Sequence, residues 1–326
     1  MKTELLRYLN AHSGEYISGE SLADMFGVTR AAVWKAIASL RKEGYIISAA
    51  TNKGYSLLRT ADPLTEKGIR SCLKPDTKIS RVICLESVDS TNNYAKTLAH
   101  NGAKNGVLVA ADRQTAGRGR HGHTFESPAG SGLYMSLILT PKADISQFQM
   151  ITIADAVAVC LAIEELYPQA KGELRIKWVN DIYFRGRKIA GILTEAVTSF
   201  ESGEIESVVT GIGINVSSHK FSAEIAGSIF SEGDCAFSRN DLCARTADYI
   251  MSFAENLNDP KIINAYRERS MLTGQDITYI KNDMKCRAHV EGIDDAGGLV
   301  ILNDDGVRET LRSGEVFMIR QEEMTS

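Results

Sequence analysis

Apolar residues recur at helical spacing from the start of the chain. Leu5, Leu6 and Leu9 mark one face of a first helix. A second helix is expected over about Ser21–Phe26, stopped by Gly27, a residue suited to the left-handed turn. Thr29 stands where an N-cap is needed for a third helix, whose apolar stripe is Val33, Ile37 and Leu40 and which Gly44 ends. Ile46-Ile47 and Tyr55-Ser56-Leu57-Leu58 then flank Asn52-Lys53-Gly54, a strong turn signal, so a two-stranded wing follows. Helix, short turn with Gly, helix and hairpin is the layout of a winged helix-turn-helix, whose recognition helix enters the major groove of DNA. Arg30, Trp34, Lys35, Ser39 and Lys42 fall away from the apolar stripe. Of these, Arg30, Trp34 and Lys35, with Lys53 at the wing tip, are the candidate DNA contacts. Trp34 has a second reading, packing onto the wing.

Asp62-Pro63 breaks the pattern and begins a linker, after which strands and helices alternate. Strands are expected at Arg81–Leu85, Val107–Ala111, Leu133–Leu139, Leu174–Val179, Ile189–Ala196 and Ser207–Val216. Between them, Asp89-Ser90-Thr91-Asn92 offers N-cap residues to a helix running toward His100, closed by Gly102, and Ile151–Leu166 is a long apolar helix. This reads as an α+β body, its sheet covered by helices on one side. Two more helices fall within 240–270. After Gly274, short strands at Ile277–Ile280, Cys286–Gly292, Leu299–Leu302, Val307–Leu311 and Val316–Ile319 recur about every ten residues, the signature of a small β-barrel. The expected domains are 1–62, 63–270 and 271–326.

Composition adds one asymmetry. The 326 residues carry a net charge of -4, yet residues 1–60 hold eight Lys/Arg against five Asp/Glu, and the remainder holds 29 against 36. A mildly basic head on an acidic body agrees with DNA binding by the head alone. Six cysteines without C-x-x-C spacing argue against zinc and against a disulfide framework. His121 and His123 have no acidic or thiol partner nearby in sequence, so no metal site is expected. Without an apolar signal core or a run of 18 apolar residues, the expectation is a reduced, cytoplasmic protein with no membrane association.

The densest chemistry is Gly117-Arg118-Gly119-Arg120-His121-Gly122. Its glycines let the backbone wrap a ligand closely, and its guanidiniums supply forked donors for phosphate or carboxylate. Four other features fall where a parallel sheet places ligands, at strand ends and connections. Lys177-Trp178-Val179-Asn180-Asp181 closes one strand, and Arg187-Lys188-Ile189-Ala190-Gly191-Ile192-Leu193 opens the next. Gly211-Ile212-Gly213-Ile214-Asn215 leaves one strand face bare enough for a flat ligand, and Ser90-Thr91-Asn92 gathers short polar groups at a helix start. Taken singly, Asn180-Asp181 also reads as a turn, Lys188 as a strand-edge charge, and Gly211 and Gly213 as a bulge. Together they point to an anionic, nucleotide-like ligand.

Ser90-Thr91-Asn92, the Gly117–Gly122 loop, the Lys-Trp-x-Asn-Asp segment and Arg187-Lys188-x-Ala190-Gly191-Ile192-Leu193 resemble biotin protein ligases. With the N-terminal winged helix, the chain resembles the bifunctional ligase and biotin-operon repressor type, across all three segments in order. The resemblance implies a class II synthetase-like mixed sheet in the central domain and an SH3-like barrel at the C-terminus. It implies two steps: biotin and ATP give biotinyl-5′-AMP and pyrophosphate, then the acyl group passes to a lysine of a biotin carboxyl carrier protein. Lys188, Arg118 and Arg120 are then candidate catalytic cations, with Asp181 as the candidate base for transfer. Ser90, Thr91, Asn92, Gln114, Gly117, Arg118, Gly119, Arg120 and Lys188 would surround biotin. Arg118, Arg120, His121, Lys177, Asn180, Asp181 and Asn215 would face ATP, with Mg²⁺ arriving on its phosphates. Operator DNA and a homodimer formed on ligand binding are the further partners implied. The chain departs from the family at Val179 (usually Pro), at His121 and His123 (usually more basic) and at Phe125 (usually Trp). Lipoate–protein ligase and a ligand-sensing repressor without ligase activity are the competing readings. The terminal barrel is read either as a seat for ATP or carrier protein, or as a structural cap.

Overall fold

The computed structural model describes residues 1–12, 15–42, 45–50, 53–59, 63–140, 148–198, 204–217, 221–231, 235–281 and 284–319. The expected ends at Gly44, Asn52 and Asp62 lie outside the described residues. In the head, α1 (Lys2–Ala11), α2 (Gly19–Phe26) and α3 (Arg30–Lys42) precede the antiparallel wing β1 (Ile46–Ala50) and β2 (Gly54–Arg59). Helix α2 starts earlier than the apolar pattern suggests because Ser18 Oγ accepts from the Ser21 amide and caps it. Gly27 adopts φ 61°, as its C-cap role requires, and Thr29 Oγ1 accepts from the Ala32 amide at the start of α3. Leu5, Leu9, Leu22, Val33, Ile37, Leu40 and Leu57 form a core of their own. Arg41 reaches from α3 to the Ile47 carbonyl and so ties the recognition helix to the wing.

The segment expected as linker is partly helical. α4 (Glu66–Cys72) is capped by Thr65 Oγ1, which accepts from the Gly68 amide, and it buries Ile69. One buried apolar residue in seven gives no periodicity to read, so the packing site rather than the pattern makes this helix.

The body is a seven-stranded mixed sheet in the order β3 (Arg81–Val88), β4 (Val107–Gln114), β5 (Gly132–Leu139), β9 (Ile205–Asn215), β8 (Arg187–Thr198), β7 (Asp181–Phe184), β6 (Leu174–Lys177). Only β3 and β4 run parallel and all other neighbours are antiparallel, so the sheet is mixed, as the family resemblance implies. Strand β7 was hidden because Asn180-Asp181 reads as a turn. Helices cover both faces, not one. α5 (Thr91–His100) packs with Val107, Val109, Ile138, Val197 and Val209 on one face. On the other, α6 (Phe148–Leu166) and α7 (Arg239–Ala254) pack with the alternating set Leu108, Ala110, Leu133, Met135 and Ile212. Helix α8 (Pro260–Arg269) lies beside α6 and β6.

The last segment is a five-stranded antiparallel sheet in the order β13 (Arg308–Leu311), β12 (Leu299–Asn303), β11 (Met284–Ile293), β10 (Asp276–Lys281), β14 (Val316–Met318). Ile277, Val290, Leu299, Ile301 and Val316 join the core of the body. Trp178 Nε1 and Gln149 Nε2 both donate to the Gly297 carbonyl, at 2.9 and 2.7 Å. These bonds lock the terminal sheet to α6 and to the turn that leads through Asn180 into β7.

Candidate functional site

A cavity of about 510 Å³ opens between the α5 face of the sheet, the 117–125 loop and the 314–317 segment of the terminal sheet. That volume lies in the range of small-molecule sites. Ser90, Thr91, Asn92, Gln114, Arg118, Gly119, Arg120, His121, Lys177, Asn180, Asp181 and Lys188 all line it. These residues come from five separate stretches of chain.

The floor is a hydrogen-bonded polar layer at the start of α5. Ser90 holds the N-cap position with no side-chain cap bond. Gln114 Oε1 instead accepts from the Thr91 amide at 2.9 Å and from Thr91 Oγ1 at 3.2 Å, while its Nε2 donates to Ser127 Oγ at 2.9 Å. Ser136 Oγ donates, lying 2.7 Å from Thr91 Oγ1 and 2.6 Å from Asn92 Oδ1. Thr91 and Asn92 are each only 3% exposed. This layer presents mixed donors and acceptors, which suits a neutral polar ring better than an ion.

Cations gather on the other side. Lys188 Nζ sits 2.7 Å from Asp181 Oδ2. Arg120 donates to Asn180 Oδ1 at 3.1 Å, and Asn180 Nδ2 in turn donates to the Ile192 carbonyl at 2.9 Å. The glycine-rich loop and the Lys188 strand therefore converge through Asn180 and Asp181. His121 takes φ 51° at the loop tip, and Gly122 takes φ 78°. Arg118 donates to Asn93 Oδ1 at 3.1 Å. Burial holds the Lys177 ammonium below its usual range, against the opposing pull of Asp181.

Two expected site residues are placed elsewhere. Gly117 packs against the Phe125 backbone, accepting from its amide at 3.0 Å, and does not line the cavity. Asn215 is buried, and its amide donates to the Gly227 carbonyl at 2.9 Å, so it ties the end of β9 to the following loop. The small-residue face of β9 does open onto the cavity, which Gly211 and Gly213 both line, with Asn92 and the Phe125 ring close beside them. A Cβ on Gly211 would collide with Asn92 Oδ1, and one on Gly213 would stand 2.5 Å from the Phe125 ring.

Other residues at the site carried no sequence signal. Ser127 and Ser136 complete the polar floor, and Glu195 accepts from Asn92 and Lys96. Gly314–Phe317 form a wall of the cavity, with Lys177 Nζ 5.6 Å from the Phe317 ring centre and His123 Nε2 3.1 Å from Glu315 Oε1. The terminal sheet thus lines the site as well as capping the body. In the head, Arg30, Lys35 and Lys53 are exposed, and Trp34 is 60% exposed, so most of its ring is open to solvent rather than packed onto the wing. Among the described residues no group of three or more His, Cys, Asp or Glu is arranged to hold a metal ion. No described helix is long and apolar enough to cross a membrane.

Residues 84–215 match the Biotin/lipoate A/B protein ligase family, residues 2–56 an HTH domain, and residues 273–319 the Biotin protein ligase C terminal domain. The Bacillus subtilis bifunctional ligase/repressor BirA is 34% identical, over 95% of this chain and 96% of its own length. The Escherichia coli protein of the same name is 29% identical over 94% of each. Among solved structures, the Aquifex aeolicus biotin protein ligase in complex with biotin and ATP aligns with a TM-score of 0.60 and 26% identity. That alignment spans 74% of this chain and all of the Aquifex one.

Proposed function

We propose a division of labour within the cavity on one premise: the chain belongs to the biotin protein ligases, among their bifunctional ligase/repressors. It is an ATP-dependent biotin–protein ligase that also acts as a DNA-binding repressor. The observation that carries the site assignment is the convergence of Lys188, Arg120 and the Ser90–Asn92 floor on one cavity.

In the first step a biotin carboxylate oxygen attacks the α-phosphorus of ATP, an O–P bond forms, and pyrophosphate leaves. Two anions must meet, so fixed cations lower the barrier most where the negative charge accumulates. Lys188, braced by Asp181, and Arg120, braced by Asn180, face that point. Thr91, Gln114 and the serines beneath them would hold the ureido ring with neutral donors and acceptors. Lys177, Asn180 and the Phe317 wall lie toward the nucleotide. Mg²⁺ would arrive on the ATP phosphates, Asp181 being already paired with Lys188. In the second step an acceptor-lysine amine attacks the acyl carbon and AMP leaves. Asp181, which lines the cavity and pairs with Lys188, is our candidate to take the amine's proton.

The 117–125 loop, hinged on glycine, excludes water from the mixed anhydride when it closes. Ordering of this loop by ligand would favour a homodimer whose two winged helices meet two operator half-sites. Residues 1–62, 63–270 and 271–326 are the corresponding units. The acceptor is a lysine of a biotin carboxyl carrier domain.

Biotin-dependent exchange of labelled pyrophosphate into ATP tests the ligase assignment. Exchange that requires biotin supports it; exchange driven by lipoate alone overturns it. A gel shift on operator DNA with and without biotin and ATP tests the switch, and binding indifferent to both overturns the coupling.

A further inference from the structure

Glu195 lies on β8, seven residues beyond Lys188, with its side chain 20% exposed. Its two carboxylate oxygens are engaged separately. Oε2 accepts from Asn92 Nδ2 at 2.8 Å, and Oε1 accepts from Lys96 Nζ at 2.7 Å. Arg118 Nη1 lies 3.8 Å from the same Oε1. Burial pushes this carboxyl up, but the bonds from Lys96 and Asn92 outweigh it and hold the group below its usual range, ionised at neutral pH.

The consequence runs through Asn92. An amide can present either its oxygen or its nitrogen in a given direction, and its partners decide which. With Nδ2 claimed by Glu195 and by the Leu193 carbonyl at 3.0 Å, Oδ1 must face Ser136. Ser136 Oγ also contacts Thr91 Oγ1, and the Thr91 amide donates to Gln114 Oε1. A continuous hydrogen-bonded chain therefore runs from Lys96 through Glu195 and Asn92 to the residues lining the cavity floor. Its polarity is set where Asn92 Nδ2 meets the Glu195 carboxylate and the Leu193 carbonyl, and Glu195 itself does not line the cavity.

We infer that Glu195 is a positioning residue for biotin: it fixes the donor and acceptor pattern of the Asn92–Ser136–Thr91–Gln114 floor and holds the Arg118 guanidinium at the cavity edge. The inference rests on the ligase reading above. Glu195→Gln is nearly isosteric, yet it sets an amide NH₂ against either the Asn92 amide or the Lys96 ammonium, two donors face to face. The floor must then reorient, while Lys188, Asp181 and Arg120 keep their mutual contacts.

The test is steady-state pyrophosphate exchange by the full chain at varied biotin and saturating ATP. For Glu195→Gln the biotin KM is expected to rise about tenfold or more, the scale of one hydrogen bond to a charged group. The exchange rate at saturating biotin should stay within about threefold of the unaltered protein. A merely structural role would lower the active fraction and leave KM where it was. Lys96→Met, which removes a cation remote from the cavity, serves as second variant should Glu195→Gln not fold; a severalfold rise in biotin KM is expected. An unchanged biotin KM in the variant that folds overturns the inference. Absence of biotin-dependent exchange in the unaltered protein overturns the ligase reading instead, so the two failures are distinct.

Discussion

Lys188 Nζ is 2.7 Å from Asp181 Oδ2, across the β7–β8 pairing. The cation expected at the acyl-phosphate thus comes with its counter-charge, held in place before any ligand arrives. Pre-set charge is what makes electrostatic stabilisation effective, because nothing has to reorganise during the reaction.

Lys188→Ala should therefore lower biotin-dependent pyrophosphate exchange by about 10²–10³-fold, the usual scale for losing one preorganised charge contact. Asp181→Asn separates the two roles given to Asp181. If it acts as base, acyl transfer from preformed adenylate to the carrier falls more than exchange does. An equal loss in both half-reactions would leave Asp181 as a brace for Lys188 only.

Gly211→Ala places a Cβ on Asn92 Oδ1, and Asn92 is pinned by Ser136, Leu193 and Glu195. The expected cost is about 1–3 kcal/mol, typical of overpacking where neighbours cannot yield. Gly213→Ala meets the Phe125 ring, which sits on the loop and can shift. It should lose less stability but disturb ligand retention. Urea midpoints for the two variants check the order.

Asp155 lies on α6, 1% exposed, accepting from Thr210 Oγ1. Burial pushes its carboxyl up to about 7, with the Thr210 bond opposing. A group raised in the folded state binds a proton there that the unfolded chain has released. Its contribution is thus fully present below about pH 4 and is lost as the pH rises to about 7, by at most about 1.4 kcal/mol per pH unit. Asp155→Asn should remove this slope, so that the variant gains on the unaltered protein as the pH is raised from 5 to 7.5. Parallel urea midpoints across that range would refute it.

Trp34 is 60% exposed on α3, outside the core of the head. Trp34→Ala should leave the melting temperature unchanged while weakening operator binding by about tenfold, one base-reading contact being worth roughly 1–3 kcal/mol. Lys35→Ala should instead lower the salt slope of binding by about one, as a phosphate contact would. Gel shifts across a salt series distinguish the two.

Much of the fold was legible because its signals are local. Val33, Ile37 and Leu40 recur at helical spacing and are buried, and Gly27 adopts the positive φ its position calls for. The five terminal strands stand where turn residues divide them. Four-residue β7 and seven-residue α4 were missed, since so short a stretch holds too few apolar repeats to show a period. The cavity was legible where residue type itself carries charge or backbone freedom, as at Lys188 and the 117–122 loop. It was not legible where a residue acts through its neighbours. Glu195 reads in sequence as one more acidic residue on a strand, and Asn215 as a free amide until Gly227 claims it.

Local chemistry was written in the chain order: which stretches coil or extend, where the backbone turns, and which side chains bring cations and neutral donors. The tertiary structure alone decided who meets whom. Pairing β9 with both β5 and β8 sets Gly211 against Asn92, more than a hundred residues away in sequence, and docking the terminal sheet sets Phe317 beside Lys177. Such contacts depend on strand order and on burial shared by distant segments, and no periodicity within one segment encodes them.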